Sequence, residues 1–383
     1  MRSVNVEECG QRFLIVIGTR PEAIKLAPVA RLLRSTPGIS LEVCVTSQHR
    51  DLVAPVLNFF RVATDYDLGV GTTAQTPSEV TMRVTQGVSK ILSERPYHRV
   101  IVQGDTSSAL GGGLAGFYQR VPVAHVEAGL RSGDPLLPFP EEGHRRMLDA
   151  LAQDLFVPTR EAFRNLVNEG LPSERIHLTG NTVIDALQWA REELRRQPRP
   201  LPFEAAESQK LVLLTTHRRE SFGAPMRRIL SAVRELARRN TNLLVLFPVH
   251  PNPQVREAVD AELGREANVI LTKPMDYPDF VQVLLRADLV MTDSGGLQEE
   301  AAALGKPILI LRDNTERPEG VEFGLAELVG SDVTRIIAAA ERRLQEPTNR
   351  QGDSWVGLYG DGHASEQIRD VLLGPVQGLK IAA

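Results

Sequence analysis

The sequence predicts an α/β protein built from two doubly wound halves, each a parallel sheet with helices on both faces. Three observations predict it. Short continuous apolar runs recur, such as Phe13-Leu14-Ile15-Val16-Ile17, and such runs suit parallel strands buried on both faces. Segments with apolar residues at helical spacing alternate with them. Polar residues collect directly after the runs, where a parallel sheet binds its ligands. The runs form two series of similar size, so a cleft between the two halves is the default site.

The first series begins with Phe13 to Ile17. Pro21 suits the first turn of a helix from about Pro21 to Arg34. Leu41 to Thr46 reads as a strand, and Gln48-His49-Arg50-Asp51 opens the next helix. A polar link then reaches Thr76. Pro77 to Arg95 places Val80, Val84, Val88, Ile91 and Leu92 on one helical face. Arg99 to Gln103 is a strand, Gly104 to Ser108 its turn, and Ala109 to Gln119 its helix. Val121 to Val126 is a strand that ends at Glu127. A loop rich in Gly and Pro runs from Ala128 to Pro140, and Glu141 starts a helix. Leu155 to Val157 and Ile176 to Leu178 complete the first unit. After a helix from about Val183, the Pro-rich, charged stretch Arg195 to Ser208 reads as a surface linker. The second series has strands at Leu211 to Thr215, Leu243 to Pro248, Val269 to Leu271, Asp288 to Met291 and Pro307 to Leu311. A final helix spans about Ser365 to Leu373.

Bulk properties narrow the function. At 383 residues the chain can bury a large core, and two domains are expected. The net charge of −4 and the aromatic content of 5% argue against a nucleic-acid partner. Cys9 and Cys44 lack metal-like spacing and read as free thiols of a reducing compartment. The Phe13 to Ile17 run is too short for a signal sequence, and no apolar stretch approaches the ~20 residues of a membrane span. The expectation is a soluble, cytoplasmic protein.

The turn Thr292-Asp293-Ser294-Gly295-Gly296 joins an apolar strand to a helix expected from Gln298 to Leu304. Backbone N–H groups and the helix dipole suit a phosphate there. Glu299 or Glu300 could reach a ribose hydroxyl. The plain alternative is a tight turn followed by solvated glutamates. Arg20, Asp105 and Glu127 fall after strands of the first half, and His217-Arg218-Arg219-Glu220, His250 and Ser294 after strands of the second. Each has a bland reading. Arg20, Arg218 and Arg219 could be solvated charges, and Asp105 could cap the helix at Thr106. Glu141 and Glu142 could favour their helix N-terminus. His217 could be structural, and His250 a loop residue. Glu127 is the hardest to dismiss, since a carboxylate directly after an apolar strand needs a partner or a task. A Ser nucleophile elbow, a His-Glu-x-x-His run and a Gly-x-Gly-x-x-Gly turn after the first strand are all missing. No metal-ligand cluster stands out.

These residues bring a family into view. The chain resembles the non-hydrolysing UDP-N-acetylglucosamine 2-epimerases through Gly18-Thr19-Arg20-Pro21-Glu22-Ala23-Ile24-Lys25, Gln48-His49-Arg50, Gly104-Asp105-Thr106 and His125-Val126-Glu127-Ala128-Gly129-Leu130-Arg131. Pro140-Glu141-Glu142, His217-Arg218-Arg219-Glu220-Ser221, His250-Pro251-Asn252, the Asp293 to Glu300 stretch and Thr315-Glu316-Arg317-Pro318-Glu319 continue the match in family order.

The resemblance implies a GT-B type fold. Its amino-terminal Rossmann-like domain would span 1–180, and a UDP-binding domain 181–364. A helix over about 365–378 would pack back on the first. It implies a homodimer that interconverts UDP-GlcNAc and UDP-ManNAc, with no added cofactor and no metal. Carried over by position, the catalytic candidates are Asp105, Glu127, Glu141 and His217. Arg20, Lys25 and Arg317 match substrate contacts. Met275 and Phe280 match the uracil site, Ser294, Gly295 and Gly296 the diphosphate turn, and Glu300 the ribose ligand. Gln48, Arg83, Glu142, Arg218 and His250 match a second, activating UDP-GlcNAc site. Asp51 replaces a Gln of that site, and Thr216 and His144 stand where Gly and Asn are usual. The alternatives are a hydrolysing epimerase, an epimerase of a modified UDP-amino sugar, a GT-B glycosyltransferase, and a silent UDP-sugar-binding protein.

Overall fold

The computed structural model describes residues 10–47, 50–71, 75–206, 208–216, 222–250, 252–346 and 357–374. The expectations for Cys9, Gln48, His49, His217, Arg218, Arg219, Glu220, Ser221 and Pro251 fall outside them. The chain divides into two compact units, Met1–Ala186 with Gly360–Ala383, and Leu187–Tyr359.

The first unit runs β1 (Gln11–Ile17), α1 (Arg20–Ser35), β2 (Ile39–Val45), α2 (Arg50–Phe59), β3 (Tyr66–Asp67), α3 (Pro77–Glu94) and β4 (Arg99–Gln103). It continues with α4 (Ser107–Tyr118), β5 (Val123–Val126), α5 (Glu141–Leu151), β6 (Asp154–Val157), α6 (Arg160–Asn168) and β7 (Ile176–Leu178). α7 (Thr182–Arg196) leads out of it. The seven strands form one parallel sheet in the order β3-β2-β1-β4-β5-β6-β7. Strand order reverses direction at β1, so the crevice rule points to the turns after β1 and β4.

The expected residues build the core. Phe13 through Ile17 are all fully buried, as a two-face-covered strand requires. Val80, Val84, Val88, Ile91 and Leu92 turn the buried face of α3 inward. Thr76 starts that helix. Its hydroxyl accepts from the Glu79 N–H, and Glu79 returns a bond to the Thr76 N–H, a capping box. Glycines let α4 approach its neighbours. A Cβ at Gly111 would lie 2.8 Å from Val84, and one at Gly113 2.4 Å from Leu148.

The second unit runs β8 (Lys210–Thr215), α8 (Ala224–Arg239), β9 (Leu243–Pro248), α9 (Pro253–Leu263), β10 (Val269–Thr272), α10 (Tyr277–Arg286) and β11 (Leu289–Thr292). α11 (Gly295–Ala303), β12 (Ile308–Ile310), α12 (Glu319–Glu322), β13 (Ala326–Leu328) and α13 (Val333–Gln345) follow. Its parallel sheet is ordered β10-β9-β8-β11-β12-β13, with the reversal between β8 and β11. The Thr215 and Thr292 hydroxyls lie 2.6 Å apart and tie those two strand ends together. The last helix, α14 (Ala364–Leu373), packs on α1 in the first unit. Asp185 of α7 receives the N–H groups of Ala364 at 3.3 Å and Ser365 at 2.7 Å.

Several boundaries differ from expectation. β3 lies inside the stretch read as a polar link, and β13 and α12 were not expected. α7 continues to Arg196, and α14 ends at Leu373, as the residue pattern led us to expect, short of the 378 that the resemblance implied. Gly374 is extended, with ψ 163, and the residue before a proline disfavours helix. Among the described residues no helix is long and apolar enough to cross a membrane. Cys44 is a free, buried thiol, pushed up to about 12 by burial and by Asp67.

Candidate active site

In the first unit, Glu22 fastens the turns at the crevice together. Its carboxylate accepts from the Gly18 N–H at 2.9 Å, the Thr19 N–H and the Thr106 hydroxyl at 2.6 Å. The first two belong to the β1 turn, which carries Arg20 into α1, half-buried. The third belongs to the β4 turn. Burial pushes the Glu22 carboxyl up to about 7, against the lowering pull of those hydrogen bonds. Thr106, not Asp105, caps α4, since its hydroxyl accepts from the Ala109 N–H at 3.0 Å. The reading of Asp105 as the cap is therefore corrected. Gly104, at φ 71, turns the chain sharply and leaves Asp105 to face other partners.

Those partners come from α5. Arg145 places its guanidinium 2.9 Å from the Asp105 carboxylate. His144 donates from Nδ1 to the Asp105 carbonyl at 3.0 Å, which fixes the proton on that nitrogen. Glu141 and Glu142 begin the same helix. Glu141 is half-buried, while Glu142 is fully buried. Glu142 accepts from the Arg146 Nε at 3.0 Å and the Ser132 N–H at 3.2 Å, and lies 3.7 Å from Arg145.

Glu127 directly follows β5 with φ 66, a left-handed backbone that costs a non-glycine residue about 1–3 kcal/mol. Its buried carboxylate receives donors from three other elements. The Lys25 ammonium of α1 is 2.5 Å away, the Gln103 amide at the end of β4 also donates to Oε2, and the Asn181 amide before α7 reaches Oε1 at 3.2 Å. Two residues earlier, His125 lies with Nε2 2.8 Å from the Gly104 carbonyl and Nδ1 2.7 Å from the Asp149 carboxylate. Asp149 also holds Arg131 at 2.8 Å and the Gly129 N–H at 3.3 Å. Burial disfavours its charge, but His125 and Arg131 outweigh that and hold the carboxyl below its usual range. The turns after β4 and β5 are thus both anchored on α5.

In the second unit, α11 begins at Gly295, earlier than the expected Gln298, so Gly295 and Gly296 lie in its first turn. The N–H groups of a first turn have no intrahelical acceptor and suit an anion. Ser294 precedes them, and its own N–H donates to the Thr292 hydroxyl at 2.9 Å. A Cβ at Gly296 would meet nothing within 4 Å, whereas one at Gly295 would fall 2.3 Å from the Arg317 guanidinium. Arg317 binds Glu299 at 2.5 Å, and Glu300 accepts from the Tyr277 hydroxyl at 3.0 Å. Tyr277 opens α10, whose first turn holds Phe280, and Met275 lies just ahead; both are half-buried.

The structure thus brings Lys25 to Glu127, Asp105 and Glu142 to Arg145, and Arg317 to the Gly295 turn. Arg83 is exposed on α3, with its guanidinium 3.5 Å from the Val70 carbonyl, and His250 is exposed and accepts from the Asn252 N–H. Neither shares a described ion pair with the other candidates. Gln48, His217 and Arg218 lie outside the described residues. Thr216, buried, donates to the Met226 sulfur at 3.1 Å. Sequence reasoning missed Glu22, Gln103, Arg145, Asp149, Asn181 and Tyr277. Glu22 alone stood inside a motif already singled out. Among the described residues no cluster of three or more His, Cys, Asp or Glu is placed to hold a metal ion.

A family model described as UDP-N-acetylglucosamine 2-epimerase matches residues 31–373. The chain is 44% identical over 369 residues to the UDP-N-acetylglucosamine 2-epimerase of Salmonella typhimurium, covering 94% of this chain and 98% of that one. It is 44% identical over 368 residues to the enzyme of the same name from Escherichia coli, with the same coverage. Among solved structures it matches the UDP-GlcNAc 2-epimerase of Neisseria meningitidis bound to UDP-GlcNAc, with a TM-score of 0.88 and 38% identity over 95% of this chain and 100% of that one. The Methanocaldococcus jannaschii UDP-GlcNAc 2-epimerase, in complex with UDP-GlcNAc and UDP, matches with a TM-score of 0.84 and 33% identity over 94% and 99%. The two parallel-sheet α/β units are the GT-B type fold that the sequence led us to expect.

Proposed function

Because this chain belongs to the UDP-N-acetylglucosamine 2-epimerase family, we propose that it interconverts UDP-GlcNAc and UDP-ManNAc without hydrolysis. The observation that carries the reading is the Glu127 carboxylate, buried at the end of β5 against Lys25, one strand from the turn that holds Asp105. A buried carboxylate held against an ammonium, with a second, half-buried carboxylate after the neighbouring strand, suits proton chemistry on a sugar ring.

C2 of the sugar is not α to a carbonyl, so direct deprotonation is too costly. Elimination avoids it. A base takes the C2 proton, the C2–H electron pair forms the C1–C2 double bond, and the C1–O pair leaves with UDP. The ring becomes 2-acetamidoglucal. UDP then adds back to C1 while an acid protonates C2 on the other face. Asp105, Glu127, Glu141 and His217 supply the acid, the base and the electrostatic support. Arg20 and His217 stabilise the departing diphosphate together with the amides at Ser294, Gly295 and Gly296, and Lys25 and Arg317 are further substrate contacts. Glu300 holds the ribose, and Met275 and Phe280 flank the uracil. Gln48, Arg83, Glu142, Arg218 and His250 would take a second UDP-GlcNAc as activator. The protein would act as a cytoplasmic homodimer that supplies UDP-ManNAc for polysaccharide synthesis.

The test is to run the purified protein in deuterated water with UDP-GlcNAc and follow C2 by NMR. Label entering C2 as the epimers equilibrate supports the reading. Free UDP accumulating one-for-one with turnover would point to a hydrolysing enzyme instead, and tight UDP binding with no exchange at C2 would defeat catalysis altogether.

A further inference from the structure

Two amide side chains converge on Glu127 with the geometry of a support. Gln103 is the last residue of β4, and Asn181 directly precedes α7. Both are buried. The orientation of Asn181 follows from its neighbours. Its Oδ1 accepts from the Val183 N–H at 3.1 Å, as an N-cap does, so its NH2 group is the end that faces Glu127 Oε1 at 3.2 Å. Gln103 turns its NH2 to Oε2, the oxygen that also takes the Lys25 ammonium. An ionised carboxylate only accepts, and these three groups only donate to it. Hydrogen bonds of this kind favour the charged form of a buried acid. Donors on both oxygens also fix the carboxylate plane, at a residue whose backbone is already in the left-handed region.

We propose that Gln103 and Asn181 are positioning residues for the reaction, acting through Glu127: their amides keep its carboxylate ionised and oriented against Lys25 between turnovers. The proposal rests on the reading of Glu127 as a proton-transferring group. Lys25 is the charged group that faces Glu127 from α1. The carboxylate must give up part of this donor set each time it takes a proton, so the amides set how readily Glu127 changes charge.

Asn181→Asp is the sharpest test. Asp keeps the shape and the helix cap, since it is as good an N-cap as Asn. It replaces a donor with a second carboxylate, and two acids sharing one site resist joint ionisation. Gln103→Glu does the same at the other oxygen and serves if the first variant folds poorly. The Glu127 carboxyl carbon is followed by NMR in protein carrying labelled glutamate, assigned by its loss in Glu127→Gln, and titrated in the wild type and both variants. The midpoint is expected to rise by about one unit or more in each. The acid limb of the kcat profile should rise with it, at about ten-fold in kcat per unit, while KM changes less.

An unmoved midpoint in both variants overturns the proposal. So does a moved midpoint with kcat and KM falling evenly at every pH, since a merely structural role would act that way. If the wild type does not epimerise UDP-GlcNAc, the proposed function fails, and the carboxyl titration alone then decides whether the amides hold the charge.

Discussion

The Arg145 guanidinium and the Asp105 carboxylate lie 2.9 Å apart, a pair that joins α5 to the turn after β4. His144 grips the backbone of the same Asp105, so two successive residues of one helix hold it from two sides. The helix carries Glu141 and Glu142 one turn earlier. Arg145→Met should therefore lower kcat about 10–100-fold, less than the ~10²–10⁴ carried by a positioned acid or base itself. The Asp105 side chain is 31% exposed, so the stability cost should be about 1–2 kcal/mol rather than the 3–5 of a fully buried pair. Steady-state kinetics with a urea titration checks both, and a kcat within twofold of wild type would remove Arg145 from the account.

Glu22 makes stability depend on pH near neutrality. Its folded value is about 7 against an ordinary 4.5, so between those values the folded state binds more protons than the unfolded one. The contribution is fully present below 4.5 and is lost as pH rises through about 7. Its upper size is about 3 kcal/mol, from 1.36 kcal/mol per unit. Urea titrations of wild type and Glu22→Gln between pH 4 and 8 should show the wild-type advantage shrinking as pH rises. A difference that is flat across that range contradicts the burial of the charge.

Asp149 behaves with the opposite sign. Its folded value lies below the usual carboxyl range, so its contribution is present above the unfolded value and is lost as pH falls through the folded one. Asp149→Asn leaves Arg131 and His125 without their shared anion. It should cost about 3–5 kcal/mol and lower Tm by ~10 °C. Calorimetry reads this directly, and a loss under 1 kcal/mol would mean that the network does not carry the two turns.

The glycines of the α11 turn separate packing from binding. Gly296→Ala meets nothing within 4 Å in the folded chain, so Tm should stay within about 2 °C. If UDP lies against that backbone, its affinity should still fall, by about ten-fold or more, because the added methyl occupies ligand space. Gly295→Ala instead pushes on the Arg317 guanidinium and strains its pair with Glu299, so both Tm and UDP affinity should drop. Calorimetric titration with UDP distinguishes the two. Unchanged affinity in Gly296→Ala would move the diphosphate elsewhere.

How much of this was legible beforehand follows from the physics of each signal. β1 and β4 were readable because a strand buried on both faces is a continuous apolar run. β3 is two residues, Tyr66 and Asp67, and its pairing is decided by the backbone of β2, which no local pattern records. Glu127 was readable as an acid placed directly after such a run. Its partners were not, because Lys25, Gln103 and Asn181 come from separate elements and meet only when the sheet is ordered. Arg145 and Asp149 look like ordinary charges of an amphipathic helix until β4 and β5 are laid beside it. The cap at Thr106 rather than Asp105 is a choice between two adjacent good capping residues, which sequence alone does not decide.

The closing of the first unit by α14 has a consequence for synthesis on the ribosome. α1 emerges early, yet the helix that covers it and the Asp185 contacts that anchor that helix wait until residues 364–373 have been made. The nascent amino-terminal half must therefore remain exposed along one flank while the whole of Leu187–Tyr359 is made. Chains stalled or cut before residue 360 should accordingly be recognised by chaperones through their oldest part rather than their newest.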